Sequence, residues 1–409
     1  MSNTPCPLTE IWEGKAKIRV CDLSKFADEK GYVDPAWAPV FYNPLMKCSR
    51  DISSAAVGAF AEIRGKRLKV VDAFCATGVR GIRYALENEA VELLYLNDID
   101  PVCYELTLRN IELNSLSDIA RATNLDAVRF FSEFGKFDVV DVDPFGSPVK
   151  YVDPALRAVA NGGMLCVTAT DLSPLVGKFP GACMRKYFSY VAPTEFGREL
   201  AVRVLLYFIA REAAKLDLRI EPLLSYYMLH HVRVCVRVLK RKVNYSWYEK
   251  NIGYAAYDPL TLERYMVSIA ELQNLRSPVR ASPMGPLWTS KFADEYFAEK
   301  TLLAYSKRVE DAGYCPQGKR VLSLLLSELS LPPLYFTTDA IASKYGIPLE
   351  APLREVIEEL RSRGFAASRT HFDPKGFRTT APLEVTVKVL EEIAARNKPA
   401  DQFPKTLPG

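Results

Sequence analysis

The stretch LKVVDAFCATGVRGIRYALENE, at residues 68–89, decides the fold. Its apolar first part, residues 68–74, is typical of a buried strand, and residues 79–89 have the composition of a helix. A strand joined to a helix by a tight turn is the repeating unit of a parallel α/β sheet. The stretch therefore predicts that the neighbouring chain alternates between strands and helices.

That alternation continues along the following segments. Strands are predicted at residues 91–100, 137–144 and 163–171, with helices at residues 101–114 and 154–162 between them. The rhythm indicates a doubly wound parallel sheet. Ligands of such sheets bind at the carboxyl ends of the strands.

The segment HHVRVCVRVLKR, at residues 230–241, follows a predicted long helix at residues 193–216 and alternates with period two. One face carries Val232, Val234, Val236 and Val238, and the other carries His231, Arg233, Arg237 and Arg241. The pattern predicts a half-exposed antiparallel strand. Its basic face, through Arg233 and Arg237, is a candidate contact for the phosphates of a nucleic acid.

The chain changes character after the Pro- and Ser-rich stretch at residues 277–286. Helices are predicted at residues 319–329, 337–346 and 351–364, and a hairpin at residues 365–381. That order suggests a winged-helix domain. Its third helix carries glutamates that would repel a nucleic-acid backbone, so the hairpin is the better candidate contact, with a packing scaffold as the alternative. The basic residues of the hairpin are Arg369, His371, Lys375 and Arg378.

Composition limits the function classes. The chain has 409 residues, enough for two or three domains, and its net charge of +4 permits a nucleic-acid partner without indicating one. Its nine cysteines form no C-x-x-C pair, so we expect neither a structural zinc site nor a disulfide framework, but a reducing compartment. The sequence contains no signal peptide and no membrane-spanning run, which predicts a cytoplasmic protein.

The turn DAFCATG, at residues 72–78, contains a single glycine. This disfavours NAD or FAD, because a dinucleotide site needs several glycines beneath its pyrophosphate. S-adenosylmethionine carries no phosphate and needs only a tight turn with carboxylates nearby. Asp98 follows the second strand, where an acid can hold ribose hydroxyls, and Asp126 lies where a carboxylate can accept from the adenine amino group. Together with Asp72, these acids favour a methyltransferase.

The strand at residues 137–144 ends in Asp143-Pro144-Phe145-Gly146. The lone pair of an exocyclic base amine is delocalised, so an enzyme that methylates it must fix the amine and accept its hydrogen bonds. Asp143 and the Pro144 carbonyl supply two acceptors, and Phe145 supplies a ring for the base to stack on. A plain structural turn is the alternative. A cytosine-carbon methyltransferase would need a Pro-Cys nucleophile here, and the sequence has none.

Several further segments, spread almost from end to end of the chain, occur together in one known family. They are WEGKAKI (12–18), FYNPLMKCSRDIS (41–53), DAFCATGVRGIRYA (72–85), LNDI (96–99), DVDPFGSP (141–148), TATDLSPL (168–175), LRIEPLLSYYMLHHVRVCVRV (218–238), GPLW (285–288) and RTHFDPKGFRTTAP (369–382). On these segments the chain resembles the archaeal form of the tRNA (guanine-26-N2)-dimethyltransferase family. The motifs DPFGSP, FYNP and RTHF are highly specific.

The resemblance implies a fold of the α/β class: a class I, Rossmann-like S-adenosylmethionine-dependent methyltransferase sheet, with a smaller α+β, winged-helix-like C-terminal domain. It implies transfer of one or two methyl groups to the N2 amine of guanine 26 in tRNA. Residues 1–60 would contribute to the cofactor and base pocket, residues 61–290 would form the methyltransferase domain, and residues 291–409 would bind tRNA.

The resemblance also implies roles for single residues. Phe41 would face Phe145 across the target base, with Asp143 as the catalytic acceptor. The implied cofactor contacts are Arg50, Arg80, Asp72, Thr77, Asp98, Asp126 and Ala127. The two arginines suit the carboxylate of the cofactor. For Phe41 the alternative is a loop anchor, and for Arg50 it is a surface ion pair. Some relatives carry a cysteine zinc cluster that this chain lacks, so we predict no metal, and we predict a monomer.

Two other interpretations stay open. An adenine or protein-glutamine amino-methyltransferase uses a similar tetrapeptide, but with a second proline where Phe145 follows Pro144 here. The other interpretation is a winged-helix nucleic-acid-binding protein in which the cofactor has only a structural role. Cofactor binding without methyl transfer would support it. The sequence does not specify the number of methyl groups, the choice of tRNAs or whether guanine 27 is modified.

Overall fold

The computed structural model describes residues 6–272, 282–348 and 351–397. Near the N-terminus, β1 (Leu8–Glu13) and β2 (Ala16–Cys21) form an antiparallel hairpin. Helix α1 (Lys47–Arg64) follows, after short 3-10 turns. This hairpin was not predicted from the sequence.

A seven-stranded sheet forms the centre of the molecule. Its strands are β3 (Leu68–Asp72), β4 (Val91–Asn97), β5 (Ala120–Thr123), β6 (Phe137–Val142), β7 (Val159–Ala169), β8 (Arg219–Met228) and β9 (His231–Leu239). They lie in the order β5-β4-β3-β6-β7-β9-β8. Neighbours from β5 to β7 are parallel, whereas β9 runs antiparallel to both β7 and β8. The predicted doubly wound α/β sheet is confirmed, with an antiparallel pair added at one side.

Helices connect the strands of this sheet. They are α2 (Val79–Glu87), α3 (Pro101–Leu113), α4 (Ala127–Glu133), α5 (Val149–Ala158), α6 (Leu172–Leu175), α7 (Pro180–Tyr187) and α8 (Gly197–Ala214). The helix predicted at residues 154–162 is wrong in its second half, because β7 begins at Val159. All of β6 is buried, which explains why its sequence reads as a continuous apolar run instead of an alternation.

A second, small sheet follows the central one. Its elements are α9 (Tyr245–Asn251), β10 (Ile252–Tyr257), β11 (Arg264–Ser268), α10 (Ile269–Leu272) and β12 (Ser282–Trp288). Strand β10 pairs antiparallel with both β11 and β12. Part of the stretch predicted as a boundary, residues 277–281, lies outside the described residues.

The C-terminal elements contain the predicted winged-helix order of helix, helix-turn-helix and hairpin, with a further helix at each end and a short strand before the helix-turn-helix. They are α11 (Glu295–Asp311), α12 (Pro316–Glu328), β13 (Phe336–Thr337), α13 (Thr338–Tyr345), α14 (Leu353–Ser362), β14 (Ala367–Arg369), β15 (Gly376–Thr379) and α15 (Leu383–Arg396). A hydrophobic core of their own contains Val356, Leu360 and Phe377. The fold class expected from the sequence is confirmed.

The central core nevertheless extends into this C-terminal part. Phe297 of α11 and Leu322 of α12 belong to the same buried cluster as Phe60 of α1. Apolar burial of this kind joins packed elements tightly. The limits predicted for the domains, at residues 60 and 290, stay a prediction.

Six of the nine cysteines are joined in pairs, so the expectation of no disulfides is wrong. The pairs are Cys6–Cys21, Cys48–Cys315 and Cys166–Cys235. One of them joins residues 267 positions apart. Only the folded chain brings such partners together, which is why spacing along the sequence did not reveal them.

Candidate active site

The loop after β6 presents Asp143, Pro144 and Phe145 at the carboxyl edge of the central sheet. Gly146 turns the chain there with a φ of 76°. The backbone N–H of Gly146 donates to Thr170 Oγ1 at 2.7 Å, and the N–H of Thr170 donates to the Gly146 carbonyl at 3.0 Å. These bonds fix the loop to the end of β7 and give Asp143 a defined position.

Asp143 forms an ion pair with Arg80 of α2, through Oδ2 of the carboxylate and Nη2 of the guanidinium. Arg80 also donates from Nη1 to Ser53 Oγ of α1 at 2.9 Å. Burial alone would lower the pKa of Arg80, but the carboxylates of Asp143 and Asp141 hold it well above its ordinary value. The guanidinium is therefore a permanent positive charge next to the candidate catalytic acid.

Phe41 and Phe145 lie in direct contact with each other. Their ring centroids are 4.8 Å apart and their planes meet at 83°, an edge-to-face arrangement. The Phe145 side chain is 73 % exposed, which is unusual for a ring of this size. The structure thus brings together the two rings that the resemblance places on either side of the target base.

A buried pair of Asp141 and Arg233 lies beneath the loop. The guanidinium of Arg233 donates to both carboxylate oxygens, at 3.0 and 2.5 Å, and the Tyr84 hydroxyl donates to Oδ2 at 2.5 Å. Burial would raise the pKa of Asp141, but Arg233 and Arg80 hold it below its ordinary value. Arg233 is only 1 % exposed, so the prediction of a basic outer face is wrong for this residue. Strand β9 lies between β7 and β8, and its arginine pairs with the core acid.

Asp72, at the end of β3, is the neighbour of Asp141 in the parallel register. Its Oδ2 accepts from the backbone N–H of Gly81 at 3.2 Å, whereas its buried Oδ1 has no hydrogen-bond partner. Burial and the nearby charge of Asp141 raise the pKa of Asp72 to about 7. A buried carboxyl oxygen without a partner is costly unless a ligand satisfies it.

The turn after β3 is tied to the next strand tip. Asp98 accepts from the N–H groups of Ala76 and Asp100, at 2.9 and 3.0 Å. Burial raises the pKa of Asp98. The hydroxyl of Thr77 is buried without a hydrogen-bond partner. Asp98 and Thr77 thus lie at the tip where the cofactor was predicted.

Asp126 caps the N-terminus of α4, accepting from the N–H groups of Val128 and Arg129 at 2.9 and 3.4 Å. Ala127 is the first residue of that helix and is buried. The second oxygen of Asp126 is 3.5 Å from Lys150 Nζ. The cap holds the acid in place at the third strand tip.

Arg50 is almost completely buried, and its side chain forms an ion pair with Glu13. Its guanidinium donates to Glu13 at 2.7 and 2.6 Å, and to the Asn43 carbonyl at 3.1 Å. Burial would raise the pKa of Glu13, but Arg50 and Arg83 lower it to about 2. The ion pair expected as the alternative for Arg50 is present, although inside the protein and not on its surface. A contact between Arg50 and the cofactor stays a prediction.

The charges at this edge suit a cationic ligand. Three carboxyl groups, of Asp72, Asp141 and Asp143, meet two guanidinium groups, of Arg80 and Arg233. S-adenosylmethionine carries a sulfonium and an ammonium, and the unpartnered oxygen of Asp72 is an acceptor of the right charge. The residues present therefore fit this cofactor.

The chain is similar to the proteins of one known family along most of its length. Residues 14–391 match the family described as N2,N2-dimethylguanosine tRNA methyltransferase. The chain belongs to this family. A relative from Pyrococcus furiosus, named tRNA (guanine(26)-N(2))-dimethyltransferase, is 37 % identical over 400 residues, which cover 94 % of this chain and 99 % of the relative. One of the same name from Methanothermobacter thermautotrophicus is 35 % identical over 384 residues, covering 92 % and 97 %.

A solved structure is also similar to this chain. It is described as Trm1 from Pyrococcus horikoshii in complex with S-adenosyl-L-methionine. Its TM-score is 0.79 at 34 % identity, and the match covers 93 % of this chain and 99 % of that one. The resemblance inferred from the sequence is confirmed, with its methyltransferase sheet and C-terminal domain.

Two further residues predicted to bind tRNA have buried side chains instead. Arg378 pairs with Glu328 at 2.5 Å and with Glu199 at 2.8 Å. His371 Nδ1 lies 2.5 Å from Glu328, and the backbone N–H of Tyr227 donates to its Nε2 at 3.4 Å. The prediction that Arg378 and His371 face tRNA is therefore wrong. Their partners are acids of α8 and α12, which the hairpin sequence alone does not reveal.

Three other residues predicted to bind tRNA keep some exposure. Lys375 is exposed and forms an ion pair with Asp339 at 2.5 Å. Arg369 is half-buried and donates to the Pro374 carbonyl. Arg237 is half-buried too, and it lies towards the edge of the sheet opposite the candidate site. Contact of these residues with tRNA stays a prediction.

The basic outer face predicted for β9 is also wrong for His231, which is buried at the same edge. Neither of its ring nitrogens has a hydrogen-bond partner, and burial lowers its pKa to about 3. The sequence analysis missed a residue beside the catalytic loop. Tyr187 of α7 reaches the catalytic loop by a 2.9 Å contact with Ser147. The motif DVDPFGSP contains Ser147, but nothing in the sequence indicated its partner.

Neither a candidate metal cluster nor a membrane-spanning helix is found in the described part of the chain. No group of three or more His, Cys, Asp or Glu residues there could hold a metal ion, and the absence of a metal stays a prediction. No described helix is long and apolar enough to cross a membrane.

Proposed function

We infer that this chain is an S-adenosylmethionine-dependent tRNA methyltransferase that transfers one or two methyl groups to the exocyclic N2 amine of guanine 26. The observation that carries the proposal is the position of Asp143, Pro144 and Phe145 at the end of β6, with Phe41 opposite. The family match over residues 14–391 and the names of full-length relatives support the substrate and the position.

The target guanine must leave its stack, which costs a few kcal/mol. Phe41 and Phe145 then move apart and hold the base between their rings. Stacking on both faces fixes the plane of the base, and the exposed Phe145 ring is free to make that movement. The N2 amine comes to lie beside the Asp143-Pro144 tip.

The tip supplies two hydrogen-bond acceptors to the amine. Arg80 binds Oδ2 of Asp143, so the other carboxylate oxygen accepts one N2–H while the Pro144 carbonyl accepts the second. Both bonds point the nitrogen lone pair towards the methyl donor. Transfer would form the new N–C bond and break the S–CH3 bond of the donor, which would leave as a neutral thioether. The nitrogen would become positive, and one of its protons would pass to Asp143.

S-adenosylmethionine supplies the methyl group, on a positively charged sulfur. Asp98 would hold its ribose hydroxyls and Asp126 its adenine amino group, with Ala127 and Thr77 as neighbouring contacts. Asp72 offers its unpartnered oxygen to the positive charge. Arg50 and Arg80 would meet the cofactor's carboxylate.

The test measures transfer of labelled methyl from S-adenosylmethionine to an unmodified tRNA transcript, beside a transcript with adenine at position 26. We expect label only on the first, recovered as methylated guanosine. Asp143→Ala should lower the turnover by about 10²- to 10⁴-fold while the affinity for S-adenosylmethionine is unchanged. Asp118→Ala, at an exposed position, is the matched control.

Each result has a separate meaning. Equal label on both transcripts would support the methyltransferase activity but would show that guanine 26 is not the target. No label on either, with cofactor bound, would favour a nucleic-acid-binding protein. Turnover retained in the Asp143→Ala variant would remove Asp143 from its role.

We also propose that the enzyme acts as a monomer in the cytoplasm, where its tRNA substrate is found. Disulfide bonds do not exclude this location, since some intracellular proteins contain them. Sedimentation at micromolar concentration tests the oligomeric state. A dimer mass would contradict the proposal.

A further inference from the structure

The segment around α7 exposes an unusual group of side chains. Phe179 is 61 % exposed, Phe188 47 % and Met184 45 %. Lys178 and Arg185 are exposed beside them. We call these five residues the α7 ledge. Three exposed large apolar side chains within ten residues are unusual, and exposed apolar patches commonly mark interaction surfaces.

The ledge is joined directly to the catalytic loop. The Tyr187 hydroxyl contacts Ser147 Oγ at 2.9 Å, and Ser147 lies two residues after Phe145. The same hydroxyl donates to Asp171 at 2.7 Å, and Lys186 Nζ binds the other oxygen of Asp171 at 2.9 Å. These bonds fix the end of α7, and with it the ledge, to the loop that carries Phe145.

The cations of the ledge are available to a partner. Among the described residues, neither Lys178 nor Arg185 forms an ion pair, and Arg185 makes only a 3.3 Å bond to the Gly181 carbonyl. Arg211 of α8 lies over the Phe188 ring at 3.7 Å from its centroid, but it already pairs with Glu212 at 2.8 Å. The surface thus combines flat apolar groups with unpaired positive charge.

Phe188 itself adopts a left-handed backbone conformation, with a φ of 56° at the end of α7. Glycine is the usual residue at this position, because a side chain there is strained. The ring is nearly half exposed, so its burial does little to offset this strain.

We propose that the α7 ledge binds the tRNA strand beside the flipped nucleotide, an inference that rests on the proposed function. Unstacked bases pack on aromatic side chains, and phosphates pair with lysine and arginine. Flipping guanine 26 leaves its neighbours partly unstacked within reach of the ledge. The negative backbone of tRNA complements the positive charge of the ledge. A second copy of this chain, with its net charge of +4, would match it less well.

The test compares the double variant Lys178→Gln/Arg185→Gln and the variant Phe179→Ser with the wild type. We expect the KM for tRNA to rise about tenfold in each, with kcat at saturating tRNA and the affinity for S-adenosylmethionine retained. In the double variant the slope of log affinity against log salt should fall by about 1.5. The control is Lys240→Gln/Lys242→Gln, which removes equal charge after the end of β9, at the opposite edge of the sheet.

The outcomes separate this proposal from the proposed function. Active wild-type enzyme with unchanged KM in both variants would overturn the ledge alone. An equal rise of KM in the control would overturn it too, because it would show a general effect of charge. A wild type that is dimeric until the ledge is altered would assign the surface to a second copy and reject tRNA. Inactive wild type would refute the proposed function itself.

Discussion

Two clusters of arginines and carboxylates lie in this protein, and they differ in how completely their charges are matched. At the junction with the C-terminal domain, Arg378 is held between Glu199 and Glu328, and Arg203 also pairs with Glu199. At the carboxyl edge of the sheet, the acids outnumber the arginines. There Asp72 keeps an oxygen without a partner.

The difference distinguishes a structural cluster from a functional one. The junction cluster satisfies its charges inside the protein, so it joins α8, α12 and β15 and has little capacity for a ligand. In the edge cluster, one oxygen of Asp72 has no partner, which favours binding of a cation. Asp143 is partly exposed, which lets it bind an amine. Counting partners therefore says more about function than counting charged residues.

The largest effect is expected at the junction. Arg378→Met should lower the free energy of unfolding by about 3–5 kcal/mol, because Glu199 and Glu328 lose their buried partner. Urea denaturation measures the loss. Methyl transfer by the folded enzyme should be unchanged, since this cluster is not part of the site.

The matched control for this prediction is Arg354→Met, which breaks an exposed ion pair with Glu358. A loss at Arg378 no larger than in this control would show that the junction cluster does not hold the domains together.

An opposite effect on stability is expected at Asp72. Its folded-state pKa of about 7 lies above its ordinary value of 3.8, so the folded protein holds this proton more tightly than the unfolded chain. Between those pH values, stability falls as the pH rises, and the penalty is complete above pH 7. Asp72→Asn should therefore stabilise the protein by about 2–4 kcal/mol at pH 8 and hardly at pH 4.

The same variant should bind S-adenosylmethionine about tenfold more weakly at pH 8, because the negative charge is gone. Denaturation curves at the two pH values and calorimetric titration give both results, with Asp118→Asn as the control for an exposed acid. Equal stabilisation at both pH values would mean that Asp72 does not titrate in this range. Asp72 would then no longer distinguish the edge cluster from the junction cluster.

The smallest effect is expected at the tip of the C-terminal hairpin. Lys375→Met breaks an exposed ion pair with Asp339 and should change stability by less than about 1 kcal/mol. If the hairpin contacts tRNA, the KM for tRNA should rise about threefold, in proportion to one lost phosphate contact. An unchanged KM would reject the hairpin as a tRNA contact, and the α7 ledge would remain the proposed one.

The sequence predicted the parts of the site that local chemistry determines. Acids that follow apolar strands must lie at one edge of a parallel sheet, so the pattern of residues alone places Asp72, Asp98 and Asp143 there. The winged-helix order was predicted for the same reason, because each helix and turn carries its own local pattern.

Partners distant in sequence could not be predicted in this way. Arg233 and Arg378 look like exposed cations in the sequence, yet each meets an acid more than 40 positions away and is buried with it. The period-two pattern of β9 cannot show that further strands lie on both sides of it. The disulfides and the contact of Tyr187 with Ser147 could not be predicted for the same reason.

The edge-to-face contact of Phe41 and Phe145 has a consequence for inhibitors. A flat ring between two others needs about 7 Å between their planes, two van der Waals spacings of about 3.5 Å, and the rings of the free enzyme touch each other. The slot must be opened at the expense of binding free energy. A compound that imitates guanosine alone would meet a closed slot, whereas one that also binds the cofactor pocket could supply the energy to open it.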